Sequence, residues 1–215
     1  MRKIIAIVQA RTESTRFPGK VLKTINEFSL IEILLKRLSK SKLISKIVLA
    51  TTNLNSDDFL CRHVSDLGFD IYRGEIDDVL SRFYYTAKLH SADIVVRITG
   101  DCPLIDFEVV DRVIQLFLDN KVDYAANTFP PSFPDGLDVS VFSFSCLEES
   151  FRNSTSAFDK EHVTPYMRKS ESFSKINLTN KIDLSKERWT VDEFVDLEVV
   201  KGIFDHFYPN IYFCF

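Results

Sequence analysis

The sequence has no C-x-x-C pair. Its four cysteines, Cys61, Cys102, Cys146 and Cys214, are widely spaced, and with four scattered histidines they form no zinc-ligand pattern. Reduced, buried thiols in a cytosolic protein are the expectation. Long apolar runs are missing too. Ile4–Val8 stops at Gln9-Ala10-Arg11, too soon for a signal-peptide core or a membrane span. A cytoplasmic protein with no membrane partner is expected. There is no positive excess either: the formal net charge of −4 argues against a duplex nucleic-acid binder, while leaving room for a local basic pocket. The G-x-x-x-x-G-K-[ST] spacing is absent, which disfavours ATPase or GTPase chemistry of the Walker type. No internal repeat or low-complexity tract is seen.

What is present fits a globular chain: 215 residues, 45% hydrophobic and 27% charged, long enough to bury a core without staples. Short β-branched runs alternate with amphipathic segments. Ile4–Val8, Ile47–Ala50, Asp70–Tyr72 and Ile94–Ile98 read as strands. Helices are expected from about Ser29, from Ser56 with Asp57 and Asp58 in its first turn, from Asp77 to about His90, and from Glu108 to Asn120. This alternation predicts an α/β fold with a mostly parallel sheet and helices on both faces. Ligands of such sheets bind beyond the carboxyl ends of the strands, where the polar loops after Val8, Ala50 and Ile98 would meet. After Asp123 the pattern changes. Phe129–Gly136 is turn-rich, and Leu137–Phe144 alternates like a half-exposed strand. One domain over 1–215 is expected, with a nucleotide-binding part (1–123), a substrate or dimer lobe (124–190), and a C-terminal helix and tail (191–215).

The loop Gln9-Ala10-Arg11-Thr12-Glu13-Ser14-Thr15-Arg16-Phe17-Pro18-Gly19-Lys20 carries three cations and three hydroxyls directly after the first strand. A guanidinium presents a planar donor fork to phosphate oxygens, and lysine adds a compact charge. Charged loops are usually just solvated, so composition and position alone leave a phosphate cradle at even odds.

Transfer to or from a triphosphate needs a divalent cation, and magnesium favours one or two carboxylates with phosphate oxygens and water. Asp101 lies just past the fourth strand, between Gly100, which permits close backbone approach, and Pro103. Asp192 stands at a strand-to-helix junction, where a helix N-cap is the better reading from the residue alone.

Residues Val8 to Leu22, VQARTESTRFPGKVL, closely resemble the N-terminal signature of the nucleotide-sugar cytidylyltransferases. The nearest subgroup is the spore coat polysaccharide biosynthesis protein F family, related to the acylneuraminate and 3-deoxy-manno-octulosonate cytidylyltransferases. Arg11, Ser14, Arg16, Pro18 and Lys20 match the R-x-x-S-x-R-x-P-x-K pattern that wraps the CTP phosphates there. The resemblance implies a three-layer, Rossmann-like nucleotide-diphospho-sugar transferase fold with a small C-terminal substrate and dimerisation lobe. It implies Gln9, Ala10, Arg11, Ser14, Arg16, Lys20, Arg73 and Arg97 as nucleotide contacts. Arg11, Arg16, Lys20 and Asp101 would be catalytic. Asp101 and Asp192, in motifs resembling the family's G-D-x-P and T-V-D, would hold Mg2+. Asp135, Asp138 and His162 would face the sugar, while Asp196 would be structural, at the start of the last helix. The implied reaction joins CTP to an acidic or phosphorylated sugar with release of pyrophosphate, in a homodimer. A glycosyltransferase and a catalytically silent nucleotide-binding subunit are the competing readings.

Overall fold

The computed structural model describes residues 2–215. Strand β1 (Ile4–Gln9) leads through a long loop to a two-stranded hairpin, β2 (Thr24–Ile25) and β3 (Phe28–Ser29), and then to helix α1 (Leu30–Leu38). There follow β4 (Lys46–Thr52), α2 (Asp58–Asp66), β5 (Asp70–Gly74), α3 (Val79–Leu89), β6 (Ile94–Thr99) and α4 (Phe107–Asn120). The remainder runs β7 (Tyr124–Ala126), β8 (Ser140–Ser143), α5 (Phe144–Asn153), α6 (Ala157–His162), α7 (Pro165–Lys169), β9 (Lys175–Asn177) and α8 (Phe194–Phe207).

Seven strands form one sheet in the order β5-β4-β1-β6-β8-β7-β9. Among the described residues β8 alone runs against the rest, so the sheet is mostly parallel. Its alternate side chains feed two cores. Ile4, Ala6 and Val8 of β1 pack under α1, α2 and α4 with Leu34, Leu60 and Val113. Ile5 and Ile7 point to the other side, where Leu80 and Phe83 of α3, Leu147 of α5 and Met167 of α7 close the layer. Burial on both faces is why these strands read as continuous apolar runs, and each buried Ile, Val, Leu, Phe or Met contributes about 1.5–3 kcal/mol. A third cluster joins Leu30 and Ile33 to Leu197, Val200 and Phe204 of α8.

Helix starts follow local hydrogen bonding. Ser29 accepts from Glu32 N–H, Asp106 from Glu108 and Val109 N–H, and Ser143 from Cys146 N–H. Three expected starts shift. Ser56 does not cap α2; a 3-10 turn over Asn55–Asp57 precedes it. The cap of α3 is Asp78, which accepts from Ser81 N–H, rather than Asp77. The last helix starts at Phe194 behind Glu193, with Asp196 closing a capping box, so Asp192 stays outside it.

The region after Asp123 also differs in detail from its sequence pattern. Residues 124–190 contribute β7, β8 and β9 to the same sheet. The stretch expected as a half-exposed strand is shorter, Ser140–Ser143, and is buried on both faces, with Val141 in one core and Phe142 in the other. Its polar Ser140 misleads the pattern because it is satisfied internally by the Tyr124 hydroxyl at 3.0 Å.

Candidate active site

Gln9, Ala50 and Thr99 stand side by side at the carboxyl ends of β1, β4 and β6. The loops after β1 and β6, with the β5–α3 connection and α6, enclose a cleft of about 750 Å³, within the range of ligand sites, while the loop after β4 braces the first of them from outside the cleft wall. The loop after β1 forms one wall and is fastened at several points. Ala10 N–H donates to Ala50 C=O, Gly19 N–H to Thr12 C=O, and Gly19 takes φ +69° so that Lys20 can turn inward. Thr12 is tied by its N–H (2.8 Å) and hydroxyl (2.6 Å) to Asp57, which also accepts from the Thr51 and Thr52 hydroxyls. Burial opposes ionisation of Asp57, yet its bonds from Thr12, Thr52 and Thr51 prevail and hold its pKa below the ordinary carboxylate value.

Gly100 lets the other wall come close. A Cβ there would lie 2.5 Å from Ala10 Cβ and 2.9 Å from Gln9 O. Beyond it, Asp101 C=O accepts from Val191 N–H at 2.8 Å and from the Thr190 hydroxyl at 3.3 Å. The turn at Gly136, with φ +112°, presses on the same segment; a Cβ there would sit 2.6 Å from Trp189 C. These contacts bring Asp192 beside Asp101, although the two are far apart in sequence.

Lys20 lies between them. Its ammonium donates to Asp101 at 3.0 Å and to Asp192 at 2.8 Å, with the side chain 11% exposed. Burial alone would lower the Lys20 pKa, but the Asp101 charge and the bonds to Asp192 and Asp101 outweigh it, and the pKa is raised. Asp192 is shared further, with Arg16 at 2.9 Å and Arg188 at 2.9 Å. Arg188 continues the chain to Asp135 and Asp196. Two hard oxygens therefore converge on one cationic position. Among the described residues no cluster of three or more metal-ligating side chains occurs. This donor set fits a magnesium-like ion completed by phosphate oxygens and water.

The structure brings Gln9, Ala10, Arg11, Ser14, Arg16, Lys20, Asp101 and His162 to the cleft wall. Arg73 is not among them. Its guanidinium is spent on Asp58 at 2.6 Å and on the carbonyls of Thr52 and Leu54, so it braces the β4 end instead. Arg97 is set back behind the cleft and donates to the Gln9 side chain at 3.0 Å. Asp138 and Asp135 lie near Arg97 and Asp101, outside the cleft wall. Burial first, then the Asp135 charge, pushes the Asp138 pKa up to about 6, against the pull of Arg97. Sequence reasoning missed Asp57, Arg82 and Arg188. The signals were a Thr51-Thr52 pair just before Asp57, and a charged residue at position 82 beside the apolar stripe of Val79, Phe83 and Ala87. Arg188 lies one turn's spacing before Asp192.

A family profile described as cytidylyltransferase matches residues 5–203. The chain belongs to the cytidylyltransferase family. The spore coat polysaccharide biosynthesis protein SpsF of Bacillus subtilis is 31% identical to this cytidylyltransferase over 212 residues, covering 95% of this chain and 87% of SpsF. The structure of a cytidylyltransferase from Leptospira borgpetersenii serovar Hardjo-bovis superposes with a TM-score of 0.95 at 33% identity, over 100% of this chain and 91% of that one. At the level of fold alone, a CMP:2-keto-3-deoxy-manno-octonic acid synthetase complexed with CTP aligns with a TM-score of 0.70 at 16% identity, over 95% and 99% of the two chains. The family expected from the Val8–Leu22 motif and the mostly parallel α/β fold expected from the strand–helix alternation are thus those observed. No described helix of this cytidylyltransferase is long and apolar enough to cross a membrane.

Proposed function

We propose that this cytidylyltransferase activates an acidic or phosphorylated sugar for surface-polysaccharide or glycan synthesis, with Mg2+ bound at Asp101 and Asp192. An oxygen of the sugar attacks the α-phosphorus of CTP. The bond from that phosphorus to the bridging oxygen breaks, and pyrophosphate leaves with the electron pair. The observation that carries this reading is the convergence of Asp101 and Asp192 on the Lys20 ammonium, with Lys20 and Asp101 in the wall of the loop-lined cleft.

When bound, magnesium would neutralise charge on the transferring phosphate. The chain's own residues position the reactants. Arg11, Arg16 and Lys20 hold the triphosphate and stabilise the leaving pyrophosphate, while Ser14 and loop N–H groups supply further donors. Arg97 fixes the Gln9 side chain at the mouth of β1. Asp135 and Asp138, beyond Asp101, suit sugar hydroxyls, and the exposed His162 lines the entrance. The reaction belongs to the cytoplasm, where CTP is made available. Exposed Phe194, Val195 and Val199 on α8 favour a homodimer.

Pyrophosphate release is the direct test. Protein with CTP and magnesium should release it only when an acid or phosphorylated sugar is added. Release from a preformed nucleotide sugar, or no turnover with any acceptor, would refute the assignment.

A further inference from the structure

The cations of the cleft fall into two groups. Arg16 and Lys20 are neutralised within the protein by Asp192 and Asp101. Arg11 and Arg82 both line the cleft, yet neither side chain has an ion pair or hydrogen bond among the described residues. Arg82 is the more unusual. It is 3% exposed, and its Nε and Nη1 are enclosed with no acceptor. A guanidinium so enclosed loses hydration without compensation, and buried polar groups are ordinarily partnered.

The neighbouring carboxylates do not fill the role. Asp57 is committed to Thr12, Thr51 and Thr52, and Asp78 caps α3 through Ser81 N–H and pairs with Lys160 at 3.8 Å. The position is nevertheless built. The stem of Arg82 packs on the bare backbone of Gly74, where a Cβ would come within 2.8 Å of Arg82 Cγ. Burial, then the nearby Arg11 charge, lowers the Arg82 pKa to about 10, so it stays cationic at neutral pH.

We propose that Arg82, beside Arg11, forms an oxyanion-receiving pair on the inner wall of the cleft. Two like charges without a carboxylate at hydrogen-bond distance are relieved by an anionic oxygen, which accepts from both guanidinium forks. A phosphate oxygen of the nucleotide and the carboxylate of a sugar acid share this chemistry. Assigning the oxyanion to these two ligands rests on the CTP and acid-sugar reading above; the pair itself does not.

The test uses Arg82→Met and Arg82→Lys in the full chain. Calorimetry follows CTP, inorganic triphosphate, neutral cytidine and 2-keto-3-deoxy-manno-octonic acid, and thermal melting follows the free protein. Arg82→Met should melt at or above wild type, because an uncompensated charge is gone. It should bind an oxyanion ligand about 10- to 100-fold more weakly, with Arg82→Lys in between. Loss with triphosphate and CTP assigns the pair to phosphate, and loss confined to the sugar acid assigns it to carboxylate. If wild type ignores CTP but binds triphosphate through Arg82, the nucleotide reading fails and the oxyanion pair stands. Unchanged affinity for every anion, or an equal loss for cytidine, overturns the proposal.

Discussion

Replacing Lys20 with methionine tests the centre of the site. The substitution keeps the stem and deletes the ammonium, leaving Asp101 and Asp192 to face each other. Removing one partner of a fully buried pair costs about 3–5 kcal/mol. Here the cost is smaller, because Asp192 keeps Arg16 and Arg188 at 2.9 Å each and the Asp101 side chain is 28% exposed. A loss of about 2 kcal/mol is expected, which for a chain of this size lowers Tm by roughly 4–8 °C. The raised Lys20 pKa means that the ammonium's contribution is complete below the ordinary lysine value. It is lost only as pH rises through the raised value. The Tm difference should therefore be flat between about pH 6 and 9. Magnesium alone should then raise Tm more in Lys20→Met than in wild type, because the cation no longer competes with an ammonium for the same two oxygens. Scanning calorimetry with and without magnesium reads both effects. Equal stability, or a magnesium response no larger than wild type, would refute the reasoning.

Asp57→Ala leaves the Thr12, Thr51 and Thr52 donors without an acceptor, a loss of about 3 kcal/mol by denaturant titration, and raises KM for CTP by releasing the loop. Asp138→Asn removes a carboxyl held at about pKa 6. Folding disfavours its ionised form, so the penalty is full above about pH 6, shrinks as pH falls, and is gone below the ordinary value. The variant should be up to about 3 kcal/mol more stable than wild type at pH 8 and equal to it near pH 4, and a pH-independent difference would count against the shift. Gly100→Ala forces a Cβ against Ala10 and Gln9 O, parting β1 from β6. Turnover should fall by more than tenfold with the far-UV spectrum retained, and full activity would show that the close approach is dispensable.

The parallel half of the sheet was legible because both of its faces are covered. Ile4, Ala6 and Val8 serve one core and Ile5 and Ile7 the other, so β1 reads as one apolar run. Strands β7 and β9 were not legible, since three residues carry no usable period. The loop from Gln9 to Lys20 was legible as a motif, but its anchoring was not. Asp57 looked like a first-turn helix charge, and only the 3-10 turn before α2 reveals that its carboxylate faces Thr12. Arg82 was hidden for the opposite reason. A charge beside an apolar stripe resembles noise in the periodicity until the space around it is seen to contain no partner.

The charges in and around the cleft are arranged to compensate one another. Three cations and four carboxylates in and beside the cleft would each be costly if left uncompensated, but Arg16, Lys20 and Arg188 interleave with Asp101, Asp135, Asp192 and Asp196. On the proposed reading, a magnesium triphosphate carries the same two signs in one molecule. Its phosphates meet Arg16 and Lys20, its metal meets Asp101 and Asp192, and each internal pair broken is replaced by one of like kind. Affinity is then a difference between two well-paired states, which keeps it moderate and lets product leave. Arg82 lies outside this exchange. With no internal partner to surrender, its contact with an oxyanion adds to binding without an opposing loss, so it supplies selectivity that the interleaved network cannot.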